Sequence, residues 1–218
     1  MRPTTRTTRA VLLGAAIVVW IACFRLLVRY GTWIPFVVAG SLLATFSIVS
    51  DPSARSLLRP TWVRTGIGIA GAVVMIGGTY GAFFLLRPLV PSIDTQTRSL
   101  YALLDSGDVP ALERACLIVL VASAEEVLFR GALLGAESTN QPQRHAHFPD
   151  GATLARIALF AALYAAPAAA SGIPLLAVVA LFCGLYWGWL RRLSGSVFAP
   201  ILAHVAWDLS ILVVRPLL

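Results

Sequence analysis

Apolar residues run along this chain in stretches too long and too unbroken for the alternation of a strand or the single apolar stripe of a soluble helix. Seven such stretches are set apart by polar turns: Ala10 to Val28, Trp33 to Val49, Gly66 to Val90, Ala111 to Ala136, Ala152 to Ala170, Ile173 to Leu190 and Val197 to Val214. Each approaches the roughly 20 apolar residues that carry an α-helix across a bilayer. The pattern predicts an all-α fold, a polytopic membrane helix bundle with about seven transmembrane helices. The first stretch follows Arg2, Arg6 and Arg9, as in a signal peptide, but it is too long and lacks a convincing cleavage site, so it reads as the first span. Gly71, Gly77, Gly78 and Gly81 predict close helix contacts along the third. The segment Pro91 to Pro110 mixes Asp94, Asp105 and Asp108 with Leu100, Tyr101, Leu103 and Leu104, and reads as a short interfacial helix. No internal repeat and no inverted pair of broken helices suggests a transporter.

Composition narrows the class further. The 218 residues are 58% hydrophobic and 12% charged, against about 25% charged in a soluble domain, which excludes a soluble globular protein and, equally, a disordered one. The net charge of +7 comes from 17 basic residues, all of them Arg, against 10 acidic ones. These arginines flank the apolar runs. Alternation from a cytoplasmic N-terminus places Arg55, Arg59, Arg64, Arg144, Arg191 and Arg192 inside and the aspartate-rich segment Pro91 to Pro110 outside, with Arg29, Arg87 and Arg215 on the outer side. That is the positive-inside bias of an integral membrane protein. An all-Arg, Ala-rich chain hints at a bacterial inner (plasma) membrane. The bilayer is thus an expected partner, and nucleic acid is not, because no basic stripe with interleaved aromatics exists. Cys23, Cys116 and Cys183 lie in apolar runs without a CxxC pattern, and read as small core residues.

Four charged residues lie deep within the apolar stretches, away from their ends. Glu125, Glu126 and Arg130 interrupt the fourth stretch and Asp208 the last; unpaired, they cost on the order of 10 kcal/mol to insert. Glu126 and Arg130 are four apart on one helix and can form an ion pair. Glu125 points about 100° away. His204 and Asp208 are likewise four apart on one face. The alternating topology brings both sets toward one leaflet, within reach of one water-filled cavity, and carboxylate, imidazole and water are the parts of general-base hydrolysis. A structural clamp between helices is the plainer reading of such charges, but a clamp uses one partner for Arg130 and leaves the second glutamate unexplained.

These residues resemble a known family. Glu125-Glu126-Val127-Leu128-Phe129-Arg130 matches the EExxxR motif, and Ala199-Pro200-Ile201-Leu202-Ala203-His204-Val205-Ala206-Trp207-Asp208 resembles the HxxxN/D motif with its preceding proline, of the CPBP intramembrane proteases (CAAX protease and bacteriocin-processing, also called Abi). The stretch Gly184 to Asp208 is similar to the family as well, and the likeness covers roughly Glu113 to Val214. It divides one membrane domain into residues 1–110, N-terminal transmembrane helices and interfacial segment, and 111–218, the catalytic core. The resemblance implies an intramembrane endopeptidase acting on a membrane-associated peptide or protein. Glu125 would activate the water, Glu126 and Arg130 would orient and polarise the site, and His204 with Asp208 would bind the oxyanion. An ionised Asp208 only accepts hydrogen bonds, so unless protonated it orients His204 instead.

The family's second motif, FxxxH, departs here. Phe160-Ala161-Ala162-Leu163-Tyr164 puts tyrosine at the histidine's place, and a second register puts Ala168 there. In the first register Tyr164 would position water through its hydroxyl. His145 and His147 fall in the polar loop Glu137 to Gly151 and read as solvated. A catalytic zinc takes three protein ligands; one histidine within a span and two glutamates, one paired to Arg130, support a divalent metal poorly, and no cofactor is expected. Beside the active peptidase stand two other readings: a catalytically impaired family member acting as a membrane peptide-binding or scaffold protein, and a transporter or channel subunit whose charges line a path.

Overall fold

The computed structural model describes residues 6–50, 52–105, 109–133 and 151–218. Every element among them is helical. In chain order these are α1 (Arg6–Tyr30), α2 (Ile34–Ser50), α3 (Pro52–Leu57), α4 (Trp62–Leu86), α5 (Ile93–Leu104), α6 (Ala111–Glu125), α7 (Gly151–Ala165), α8 (Pro174–Ser194) and α9 (Phe198–Leu209). Helix α6 continues as a π-helix over Glu126–Leu133, α9 as another over Ser210–Val214, and α7 is followed by a 3₁₀ turn, Pro167–Ser171.

Among the described residues, four helical segments are long and apolar enough to cross a membrane, Val11–Tyr30, Trp62–Leu86, Gly151–Ser171 and Pro174–Ser194, and two shorter apolar ones are Ile34–Val49 and Phe198–Val214. The charged α6 completes the seven stretches read from hydropathy but is not among these. Its outer neighbours show why the bundle needs lipid around it: Val38, Leu42 and Phe46 on α2, Val73, Val74 and Phe84 on α4, and Phe182 on α8 are all exposed. The short helix expected over Pro91 to Pro110 is α5, whose 12 residues reach about 18 Å, too short to span.

The bundle is organised around α6 and its π continuation, which together touch α1, α2, α3, α8 and α9. Helix α4 lies along α9, and α7 along α8. Punctuation residues set where these helices begin and end. Thr61 caps α4 through its hydroxyl, which accepts from the Arg64 N–H at 3.3 Å. Pro174 opens α8, and Gly195, with φ of 60°, closes it in a left-handed conformation that a side chain disfavours. Ser196 then starts α9: its hydroxyl accepts from the Phe198 N–H and donates to the Leu57 carbonyl.

Glycine does part of what its positions suggested. A Cβ on Gly71 would stand 2.8 Å from Leu190, so this glycine permits the contact of α4 with α8. Gly77, Gly78 and Gly81 face open space, and the helix contacts expected of them are not made among the described residues. The tightest approach is elsewhere, where a Cβ on Gly184 would lie 2.7 Å from the Ala161 Cα. Backbone cannot yield there as a side-chain tip can. Gly184→Ala is therefore expected to part α7 from α8 at about 1–3 kcal/mol, lowering the melting temperature by several degrees, whereas Gly77→Ala leaves it unchanged or higher; thermal denaturation in detergent measures both.

The cysteines divide. Cys23 and Cys183 are buried as expected, whereas Cys116 is exposed on α6; an apolar run in a membrane protein marks a lipid-facing position as readily as a core one. The polar loop with Arg144, His145 and His147 lies outside the described residues.

Candidate active site

Glu125 ends the α-helical part of α6 and Glu126 opens the π-helical part, so the adjacent carboxylates sit at a change of helix geometry. Such wide turns are rare and frequent at functional sites. The segment is held against α8, where the buried Arg191 donates from Nε to the Arg130 carbonyl at 3.3 Å.

The two carboxylates have different company. Glu126, with no exposure, places Oε1 3.2 Å from Arg130 Nη1 and 2.9 Å from His204 Nδ1. The contact with Arg130 lies off the line of a hydrogen bond and is a plain ion pair. A carboxylate only accepts, so the Nδ1 of His204 carries a proton. On the other ring nitrogen, His204 Nε2 stands 3.5 Å from Asp208 Oδ2. The pairings anticipated from i,i+4 spacing, Glu126 with Arg130 and His204 with Asp208, are both present.

Glu125 instead meets neutral donors. The Tyr164 hydroxyl donates to Oε2 at 2.6 Å and the Trp20 indole N–H donates to Oε1 at 2.9 Å. Of the two registers open in the sequence, the structure brings Tyr164 to the first glutamate; Ala168 lies in the 3₁₀ turn, buried. Tyr164 is shared between both halves of the site, because the Arg130 guanidinium carbon sits 4.4 Å from its ring centroid, a cation–π geometry. The six candidates Glu125, Glu126, Arg130, Tyr164, His204 and Asp208 thus form one connected cluster built from α6, α7 and α9.

Three aromatic residues in the cluster were not singled out in the sequence. Trp187 stacks on the His204 ring at 5.2 Å and 23°, fixing the imidazole plane. Phe129 lies edge-on to Tyr164 at 5.1 Å. Trp20 comes from α1. A tryptophan favours the ends of a membrane span, and Trp20 near the middle of α1 was the one available signal.

The water-filled cavity expected from topology is closed in this form. Glu125 is 9% exposed, Glu126 0%, Arg130 2% and His204 4%, while the Asp208 side chain, at 17%, is the most open of the charged members. A 350 Å³ apolar cleft lies apart, between α7 and α8, lined by Leu154, Ile157, Phe182, Leu185, Tyr186 and Trp189. Among the described residues no three His, Cys, Asp or Glu side chains group as metal ligands. The cluster's own donors do not fit a zinc centre either: Glu125 has both oxygens engaged, and a guanidinium occupies the place beside Glu126.

Residues 108–210 match the family model described as type II CAAX prenyl endopeptidase Rce1-like. No match comes from the curated proteins or the solved structures. The family is one of membrane proteases, and with four long apolar helices the chain is an integral membrane protein. The matched residues hold the whole α6–α7–α9 cluster, and the C-terminal half of this chain belongs to the CPBP family of CAAX intramembrane proteases.

Proposed function

We propose that the protein is an intramembrane endopeptidase that hydrolyses a peptide bond with water activated by Glu125. The observation that carries this reading is the division of labour between adjacent carboxylates. Glu126 is neutralised by Arg130 and His204, whereas Glu125, among the described residues, meets only neutral donors. A carboxylate paired with no cation is the one placed to accept a proton from water.

In the reaction, water enters between the Tyr164 hydroxyl and Glu125 Oε2. Glu125 takes one proton, the hydroxide adds to the scissile carbonyl, and the oxyanion forms on the side of His204 Nε2. His204, its ring held through Nδ1–H by Glu126, donates its Nε2 proton to the oxyanion when it is the imidazolium, with the Asp208 carboxylate balancing that charge and Arg130 supplying positive charge nearby. The carbon–nitrogen bond breaks as Glu125 returns its proton to the leaving amine. No step is routed through a metal, because the donor set does not suit one. The substrate is a membrane-associated peptide or protein, and it approaches from the Asp208 and Tyr164 side, where the cluster is least covered. The membrane arrangement in this reading is seven crossings, α1, α2, α4, α6, α7, α8 and α9, in a bacterial plasma membrane with a cytoplasmic N-terminus.

A second reading rests on Tyr164: with tyrosine at the family's histidine position and both oxygens of Glu125 engaged, the chain is a silenced member that binds peptides. Purified protein in nanodiscs, incubated with a library of quenched fluorogenic peptides, separates the two. Cleavage by the wild type, slowed about tenfold or more by Tyr164→Phe, supports the peptidase. A silent wild type together with an active Tyr164→His supports the binding protein.

A further inference from the structure

The matched family segment begins at residue 108, yet the Glu125 carboxylate accepts a hydrogen bond from α1. We infer that Trp20 is a positioning residue for Glu125, its indole N–H holding Oε1 so that Oε2 is presented to Tyr164 and the water. This rests on the reading of Glu125 as the base.

The placement argues for a dedicated role. Trp20 is 1% exposed and lies about 21 Å from one end of α1 and 15 Å from the other. At that depth hydrocarbon offers an indole N–H no partner, so the group must be satisfied inside the bundle, and the acceptor it meets is the carboxylate at 2.9 Å. The ring itself is immobilised. Phe36 and Phe129 meet it edge-on, with centroids 6.1 and 6.2 Å away and planes at 87° and 84°. Phe129 belongs to the same π turn as Glu126 and Arg130, so the Trp20 ring and the motif share one packing unit. Helix α2 opens the space for it: at Gly40 a Cβ would come 3.6 Å from Trp20 Cη2 and 3.1 Å from the Ala124 Cβ.

Two donors on opposite oxygens fix what neither fixes alone. With only the Tyr164 bond, the carboxylate plane can turn about its last torsion, a broad and soft one. With Trp20 on Oε1 that rotation is stopped, and the free lone pair of Oε2 keeps its direction. The catalytic geometry therefore depends on a residue of the N-terminal half, 105 positions away in sequence.

The test uses the full chain in nanodiscs and the same fluorogenic peptide library. Trp20→Phe keeps the aromatic packing and deletes the N–H. It is expected to lower kcat about tenfold to a hundredfold, with KM changed less than about twofold and the melting temperature lower by about a few degrees, the protein staying folded at the assay temperature. An unaltered kcat, or one that falls only with the folded fraction, overturns the inference. A second measurement is independent of turnover. In ¹⁵N-indole-labelled protein, the resonance missing from Trp20→Phe identifies Trp20 among the six tryptophans; Glu125→Ala should shift that resonance while the others stay. If no library peptide is cleaved, the peptidase reading fails, and a shifted resonance still upholds the hold on Glu125. An unshifted resonance overturns it.

Discussion

Glu125→Gln is expected to abolish peptide cleavage, by at least about a thousandfold, in a protein that folds and melts like the wild type. The amide keeps the size of the carboxylate, and the two donors around it decide how it sits. The Trp20 indole can only donate, so it claims the amide oxygen in place of the Oε1 it meets at 2.9 Å. The amide nitrogen is then turned toward Tyr164, whose hydroxyl now bonds Oε2 at 2.6 Å. A hydroxyl both donates and accepts, so Tyr164 rotates its proton away and receives the N–H. Both hydrogen bonds survive, while the displaced Tyr164 proton and the second amide N–H turn to the side from which water enters. What disappears is the basic lone pair facing the water, because an amide does not take a proton at neutral pH. Initial rates on the fluorogenic library, read beside thermal denaturation, check both halves of the expectation. A variant retaining a tenth of the wild-type rate would move the base elsewhere.

The chemistry of the site was legible because charge is costly in hydrocarbon. Glu125, Glu126, Arg130 and Asp208 stand out in apolar runs for that reason alone, and helical spacing paired Glu126 with Arg130 and His204 with Asp208 as the structure does. Tyr164 followed from its place in a family pattern. Trp20 did not follow, because an indole midway along an apolar helix is a weak signal beside a charge, and its hydrogen bond to Glu125 spans 105 positions. Helix geometry was also hidden. Hydropathy marks how far apolar residues run but not how the backbone winds, so the runs Ala111 to Ala136 and Val197 to Val214 read as uniform helices, whereas each changes to a π turn part-way. Gly77, Gly78 and Gly81 show the converse limit. Small residues permit close packing, and only the fold decides that Gly184 meets Ala161 while those three face open space.

Glu126→Ala has the largest expected effect on stability. Its carboxylate has no exposure and joins Arg130 to His204 across two helices. Removing it leaves Arg130, itself 2% exposed, as a buried cation without its counter-charge, and costs about 3–5 kcal/mol, or a melting temperature lower by about 10 °C. Most of that cost is the desolvation of the stranded guanidinium; the attraction between the two side chains is the smaller part. Removing both partners therefore tells more than removing one: Glu126→Leu with Arg130→Met replaces the ion pair by apolar groups of similar length, and is expected to recover most of the stability. Activity should not return with it. His204 is left without the acceptor that fixes its Nδ1 proton, and the oxyanion without the nearby positive charge. A double variant that melts like the wild type but does not cleave assigns the pair to catalysis; one that melts normally and cleaves normally reduces the pair to a clamp between α6 and α9, and leaves Glu125 with His204 to carry the reaction.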